Sequence, residues 1–369
     1  MIKSASAVHL TSNTRLQKLK VKYAEAAQEI ANGLLYNAPH VAEVDLSLAY
    51  QRSRGMLGDY VTLDWNHRAN ISRVLTRIIK YAADRTRRRP LNIIMQAEPG
   101  SGKSHMVKCL AKRLVAQHAE AVTFNMAGMQ SIEDLSQPLD AVRSLKVEDR
   151  LPVLFLDEFD SDPKYYAMLL PLMWDGELRI GHRDLKLGKL VIILAGSGRA
   201  VAKAMEDSRG MRAAVVPDKK APKLVDLISR ITGGVLSIPS LDGVGRSAVR
   251  RVDKVCLTIA LLQNRFGDSL ETVPWAFLRF VVMSKFQHGA RSITHLVDMI
   301  APPEDGAKAL ELAKLNLPLD TEDHLSVSTL ANHIYAKGGA GEISGMWNKC
   351  AACPLSVRIA TKPEKEEPD

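Results

Sequence analysis

Eight consecutive residues, Ala97-Glu98-Pro99-Gly100-Ser101-Gly102-Lys103-Ser104, join small residues to a lysine and a hydroxyl. They follow the apolar run Leu91 to Gln96 and precede a helical pattern through Met106, Leu110 and Leu114. Glycines let backbone N–H groups curl around an anion without Cβ clashes, and the start of a helix adds partial positive charge. In that setting Lys103 reaches the outer phosphates of ATP and Ser104 offers its hydroxyl to Mg²⁺, with Ala97 to His105 as the phosphate cradle. The usual opening glycine of such a loop is Ala97 here, which is tolerated where the position takes a negative φ.

A second set of candidates lies further along. Pro152-Val153-Leu154-Phe155-Leu156 is an apolar run of strand length that delivers Asp157 and Glu158 at its end. Ligands of an open parallel sheet sit beyond the carboxyl ends of its strands, which is where these carboxylates would meet the phosphates. Their adjacency divides the labour: Asp157 would hold the water shell of Mg²⁺, and Glu158 would polarise the attacking water as general base. An acidic turn after a strand is common by itself, and the glycine loop upstream is what gives this one a chemistry.

Positioning these groups takes a scaffold whose strands end together. Apolar runs at 91–97, 121–126, 152–156, 190–195 and 234–238 alternate with helical stretches. This pattern predicts an α/β fold, a parallel sheet with helices on both faces. Ahead of it, a helix opened by Asp64 or Asn66 carries Ile71, Val74, Leu75, Ile78 and Ile79 on one face and ends in Arg85, Arg87, Arg88 and Arg89 before Pro90. Cations at a helix C-terminus favour the macrodipole, so that run calls for no further partner. Leu16, Leu19, Tyr23, Ile30 and Leu34 predict another amphipathic helix over 14–36. After Pro239 the strands are expected to stop, and helices at about 246–265, 274–285, 291–300 and 305–314 form a small all-α lid. The expected regions are an N-terminal helical extension (1–58), the α/β nucleotide-binding domain (59–240), the lid (241–315) and a C-terminal extension (316–369) whose end, Thr361 to Asp369, is a solvated tail.

Composition removes several classes of function. The 369 residues are 46% hydrophobic, which excludes wholesale disorder, and the longest apolar runs, such as Leu190 to Ala195, are too short to cross a membrane. Met1 to Thr14 lacks the apolar core of a signal peptide, so a cytoplasmic location and no membrane partner are expected. Four cysteines are too few for a disulfide framework, and Cys109 and Cys256 fall in apolar helical patterns as buried thiols. Cys350 and Cys353 have the spacing of half a zinc site, which His324 or His333 would have to help complete; free thiols are the simpler reading. A net charge of +9 suits a nucleic-acid partner through counterion release. A phosphate site itself gathers positive charge, however, and no RNP, zinc-finger or aromatic stacking motif accompanies the basic residues, so nucleic acid remains an open partner.

Residues Ala97 to Ser104 and Val153 to Glu158 together resemble the Walker A and Walker B pair of AAA+ ATPases, and the resemblance extends over about 60–300. It implies ATP and Mg²⁺ as cofactors. Ser197, after Leu190 to Ala195 and Gly196, is similar to the sensor-1 position, where the family usually has Asn or Thr. Arg230, closing Asp226-Leu227-Ile228-Ser229-Arg230 before a strand, stands where these proteins place an arginine finger that reaches a neighbouring subunit's nucleotide. Arg291, in Gln287-His288-Gly289-Ala290-Arg291-Ser292, resembles sensor 2, whose arginine contacts the γ-phosphate of its own subunit. Leu170 to Leu190, with Trp174-Asp175-Gly176-Glu177-Leu178, resembles the hairpin-bearing Clp-like branches. Lys223 to Gly233 and His288 to Ser292 are similar to a group of bacterial AAA+ proteins without a settled substrate. Threading unfoldases of the family carry an aromatic pore loop after the second core strand. Asn125-Met126-Ala127-Gly128-Met129-Gln130 has no aromatic there, and Met129 is the available substitute.

The resemblance implies a homo-oligomeric ring or spiral, hexameric or related, that hydrolyses Mg-ATP between subunits to remodel or assemble a macromolecular partner. Two further readings stay open: an ATP-gated oligomeric switch that recruits or activates a protein effector, as in bacterial defence, and a nucleic-acid-loading ATPase.

Overall fold

The computed structural model describes residues 57–196, 201, 223–241, 248–267, 270–303, 309–310 and 356–358. The expected helix over 14–36, Ser197, His324, His333, Cys350, Cys353 and the C-terminal tail lie outside them. Two compact units divide the chain: one spans Ala69 to Pro239, and the other joins the residues up to Arg68 with those from Ser240.

Helix α1 (Trp65–Ala83) begins where Asp64 caps it. The Asp64 carboxylate accepts from the His67 amide at 3.0 Å, and its carbonyl accepts from the Arg68 amide at 2.8 Å. Ile71, Val74 and Ile78 are buried as the periodicity requires. The helix ends at Ala83 with Lys80 in its last turn, so Arg85 to Arg89 lie beyond it. The macrodipole therefore does not account for the arginine run, because its effect fades within the last turn.

The first unit's sheet contains β1 (Leu91–Gln96), β2 (Ala119–Asn125), β3 (Leu151–Asp157), β6 (Val191–Gly196) and β7 (Gly234–Ser237), all parallel, in the order β2-β3-β6-β1-β7. Helices α2 (Lys103–Arg113), α3 (Ser136–Val147), α4 (Tyr166–Asp175) and α5 (Leu224–Ser229) connect and cover the strands on both faces. The central strands β1, β3 and β6 are buried along nearly their whole length, and the edge strand β2 is not. This is the signature of a parallel sheet packed on both sides. Between α4 and β6, β4 (Glu177–Ile180) and β5 (Arg183–Lys186) form an antiparallel hairpin in which Leu178 faces Leu185. Registers of Ile93 with Ile193 and of Leu156 with Leu194 bring the last residues of β1, β3 and β6 to one edge. The order that separates β1 from β3 by β6 thus sets the glycine loop and the carboxylates around a common point.

The second unit is helical around α6 (Ala248–Phe266), α7 (Trp275–Met283) and α8 (Ala290–Asp298), whose buried Val252, Val255, Ile259, Phe277, Val281, Ile293 and Leu296 make its core. It adds a feature the periodicity did not announce: β8 (Thr272–Pro274) pairs antiparallel with β9 (Ser356–Arg358). Ala309 bridges Thr272, and the Leu310 amide donates to the Thr272 carbonyl at 3.1 Å, so these residues of the expected 305–314 helix run beside a strand. The rest of that segment lies outside the described residues. Three-residue strands are too short to show an alternation.

Asp253, on α6, is 3% exposed and accepts from the Leu63 amide at 2.5 Å, the Thr62 hydroxyl at 3.4 Å and Arg250 at 3.3 Å, while Arg250 also pairs with Asp64. Burial outweighs these contacts and pushes its pKa from 3.8 up to about 7. Because the folded-state value is the raised one, the folded chain keeps a proton that the unfolded chain has released. The stabilisation is full below about pH 4 and is lost as pH rises through about 7. The slope is at most about 1.4 kcal/mol per pH unit. Asp253→Asn is neutral throughout and keeps one acceptor, so its Tm is expected to fall less than the parent's between pH 5 and 7.5. Parallel Tm curves for the two proteins would show that Asp253 stays ionised.

Candidate functional site

The loop between β1 and α2 has the backbone an anion cradle needs. The Ser101 amide donates to the Glu98 carbonyl at 3.2 Å, closing a turn, and Ala97, buried, donates its amide to the Gly196 carbonyl at 3.4 Å. Gly100 and Gly102 have φ of 76° and 87°, left-handed values that strain an L side chain, whereas Ala97 is not among the positive-φ residues. The alanine at the loop's opening is therefore unstrained. Gly102 caps α2 with no side-chain hydrogen bond, which leaves the first amides of the helix facing out of its N-terminus.

Three side chains at this point fit a phosphorylated ligand. Lys103 is only 8% exposed, and its ammonium lies 3.8 Å from Asp157 Oδ1. A lysine so desolvated is suited to further anionic partners. The buried Ser101 Oγ has no hydrogen-bond partner. Ser104 Oγ donates to Asp157 Oδ2 at 3.5 Å, setting one hydroxyl and one carboxylate side by side. Among the described residues no group of three or more His, Cys, Asp and Glu could hold a metal ion. A hydroxyl and one carboxylate instead suit Mg²⁺, which keeps waters and binds through phosphates rather than in an all-protein cage. Glu98 and Pro99 are exposed at the loop's tip; His105 is also exposed, with Nε2 at 3.5 Å from Cys109 Sγ one turn along α2.

Glu158 leaves the strand sharply. Its φ is 53°, an uncommon conformation for a residue with a side chain, and its amide donates to Asp157 Oδ1 at 3.0 Å. Phe159 donates to the Ala195 carbonyl at 3.2 Å and Ser161 to the Glu158 carbonyl at 3.0 Å, which hold the turn against the end of β6. Strain of this kind persists where the surroundings over-determine it, and it gathers at sites of chemistry. The same turn places the Asp160 carboxyl over Gly196, where an added Cβ would come within 2.6 Å of it. Sequence reading passed over Asp160 because its closeness to Gly196 exists only through the pairing of β3 with β6.

Residues 93–195 match the family model described as ATPase family associated with various cellular activities (AAA). Those residues, from β1 to β6, are thus similar to an AAA ATPase domain. Among solved structures it is similar to NtrX from Brucella abortus in complex with ADP, at 14% identity over 95% of this chain and 77% of that one, with a TM-score of 0.42. It is similar to the same protein with ATP at 14% identity, 95% and 76% coverage and a TM-score of 0.41. It also resembles the S. cerevisiae Hsp104–ADP complex, at 13% identity over 78% of this chain and 48% of that one, with a TM-score of 0.39. The search of curated proteins finds no match.

The AAA match contains Ala97 to His105, Asp157 and Glu158 and stops short of Ser197, Arg230 and Arg291. Arg230 follows α5 at the start of the segment leading into β7, and its guanidinium donates to the Leu170 carbonyl at 2.6 Å. Its own carbonyl accepts from the Asn92 amide group at 2.9 Å. Asn92 is near the beginning of β1 and the glycine loop follows its end, so the strand alone separates the two by about 13 Å at roughly 3.3 Å per residue. Arg291 is exposed in the first turn of α8 in the other unit, with its amide donating to the His288 carbonyl at 3.1 Å. Met129 is buried and its carbonyl accepts from the Tyr165 hydroxyl at 2.6 Å. It is core, and the expectation that it could substitute for a gripping pore-loop aromatic is corrected. No helix among the described residues is long and apolar enough to cross a membrane.

Proposed function

We propose that this protein is an AAA+ ATPase that binds and hydrolyses Mg-ATP between copies of itself and uses the cycle to remodel or assemble a macromolecular partner. The observation that carries the reading is the buried Lys103 beside Asp157 at the mouth of the Gly100–Gly102 loop. ATP would supply the phosphoanhydride bond and Mg²⁺ the neutralising charge. The loop amides and Lys103 would orient the phosphates, and Ser104 and Asp157 would hold the metal's shell. Glu158 takes a proton from the attacking water, and Ser197, the residue after Gly196 in the sequence, helps place that water. Arg291 acts on the γ-phosphate of its own chain and Arg230 on that of the next. Burial of Met129 removes a grip for threading a polypeptide through a pore, which favours work on an assembled partner.

Lys103→Ala tests the foundation. One charge-assisted contact is worth about 1.5–3 kcal/mol, so affinity for Mg-ATP at the loop is expected to fall about 10- to 150-fold or below detection by titration calorimetry. Unchanged affinity in that variant would overturn the nucleotide reading.

A further inference from the structure

At the opposite end of β1 from the glycine loop, a cavity of about 420 Å³ opens between the end of α1, the arginine run and the end of α4. Its volume is in the range of small-ligand sites. Arg77, Lys80, Arg87, Arg89 and Arg230 line it, against one carboxylate, Asp84, which is engaged by Arg87 at 3.3 Å. Two arginines of the run that the helix macrodipole does not explain are thus brought to one concave surface. Trp174, 41% exposed, forms part of the wall, with the Arg89 guanidinium 4.1 Å from its ring centroid. The Tyr81 hydroxyl shares its one proton between the Arg89 carbonyl at 2.9 Å and the Leu190 carbonyl at 3.1 Å, which anchors the arginine run to the sheet.

Asn92 supplies an independent sign of a ligand. It is 1% exposed and lines the cavity, and its side-chain N–H groups donate to the Met173 carbonyl at 2.7 Å and the Arg230 carbonyl at 2.9 Å. Those two bonds fix which atom is oxygen, and that oxygen, Oδ1, has no hydrogen-bond partner. A buried acceptor left unmet is costly unless something donates to it. An occupant that carries negative charge for several guanidinium groups at one end and brings an N–H or O–H donor to Asn92 at the other would answer both features. Phosphates satisfy the first condition through forked Arg contacts, and the hydroxyl or amino groups of a nucleoside satisfy the second.

We infer that this cavity is a second phosphate-recognising site, which takes a free nucleoside phosphate on the side of the sheet away from the glycine loop. The inference rests on the nucleotide reading of the glycine loop only for counting sites, and the measurement separates the two. Calorimetric titration of the full-length chain with ADP, at a concentration where gel filtration shows single copies, is expected to give two sites in the parent, one in Lys103→Ala, one in Arg89→Ala and none in the double variant. Arg89 is exposed, so its replacement spares the core. Inorganic pyrophosphate added to Lys103→Ala is expected to change tryptophan emission, and Trp174→Phe in that background is expected to abolish the change. Loss of the Arg89 side chain is expected to weaken pyrophosphate binding about tenfold or more, and added salt to weaken it further. One site in the parent, none in Lys103→Ala and one in Arg89→Ala would overturn the second site. Lys103→Ala binding like the parent would instead overturn the glycine-loop reading. Binding that appears only where copies associate would make the ligand a neighbour's nucleotide and overturn the assignment to a free one.

Discussion

Arg230→Ala is expected to leave ATP binding intact and to lower turnover by about 10³ to 10⁵, the contribution of an arginine supplied in trans to phosphoryl transfer. The geometry makes the trans requirement concrete. Arg230 is tied through Asn92 to the beginning of β1, whereas the phosphate loop follows that strand's end, so it does not reach its own chain's loop. Contact with a nucleotide held at a glycine loop then requires a second copy docked head to tail, an arrangement that closes into a ring or continues as a spiral. The guanidinium donates to its own Leu170 carbonyl at 2.6 Å, and docking would exchange that bond for one to phosphate. Mixing Arg230→Ala with Lys103→Ala tests this directly. In a mixed assembly an Arg230→Ala copy supplies the intact nucleotide loop and a Lys103→Ala neighbour supplies the arginine, so part of the activity is expected to return. Full turnover by Arg230→Ala alone, or activity per chain that does not change with concentration in a strictly monomeric protein, would make Arg230 a structural residue.

Glu158→Gln is expected to slow hydrolysis by about 10² to 10⁴ while Mg-ATP stays bound, because the amide keeps the carboxylate's shape and loses its basicity. The left-handed φ of 53° and the neighbouring amide contacts hold the backbone of this residue whichever side chain it carries. The variant should therefore fold like the parent and accumulate ATP-bound assemblies, measured as retained radiolabelled ATP and as a larger species by light scattering. Parent-rate hydrolysis by Glu158→Gln would pass the role of base to another group. Asp160, held over Gly196 by the same turn, is the next carboxylate along the chain to replace in turn.

The glycine loop between strand and helix and the strand end carrying Asp157 and Glu158 were legible in the sequence because their placement is local. Glycines at Gly100 and Gly102, a lysine and hydroxyl at the helix start, and carboxylates at a strand end are each specified by neighbours along the chain. The β1, β3 and β6 runs were legible for a related reason: strands buried on both faces are continuous apolar stretches, and their observed limits differ from the expected ones by a residue or so. Strand order, the approach of Asp160 to Gly196 and the bridge from Thr272 to Ala309 depended on pairing between segments distant in sequence, which no local pattern specifies. Met129 showed the limit from the other side. Its place after a strand made it the available substitute for a missing pore-loop aromatic, and packing against the core, with its carbonyl bound by Tyr165, decided otherwise. Arg87 and Arg89 read as a helix-end charge run until α1 stopped at Ala83, and only the fold brought them to one cavity with Asn92, Trp174 and Arg230. Adjacent residues can encode a reactive group and its cradle. Which groups from separate strands and helices share a cavity is decided by how the chain crosses over the sheet, and that is a property of the tertiary structure alone.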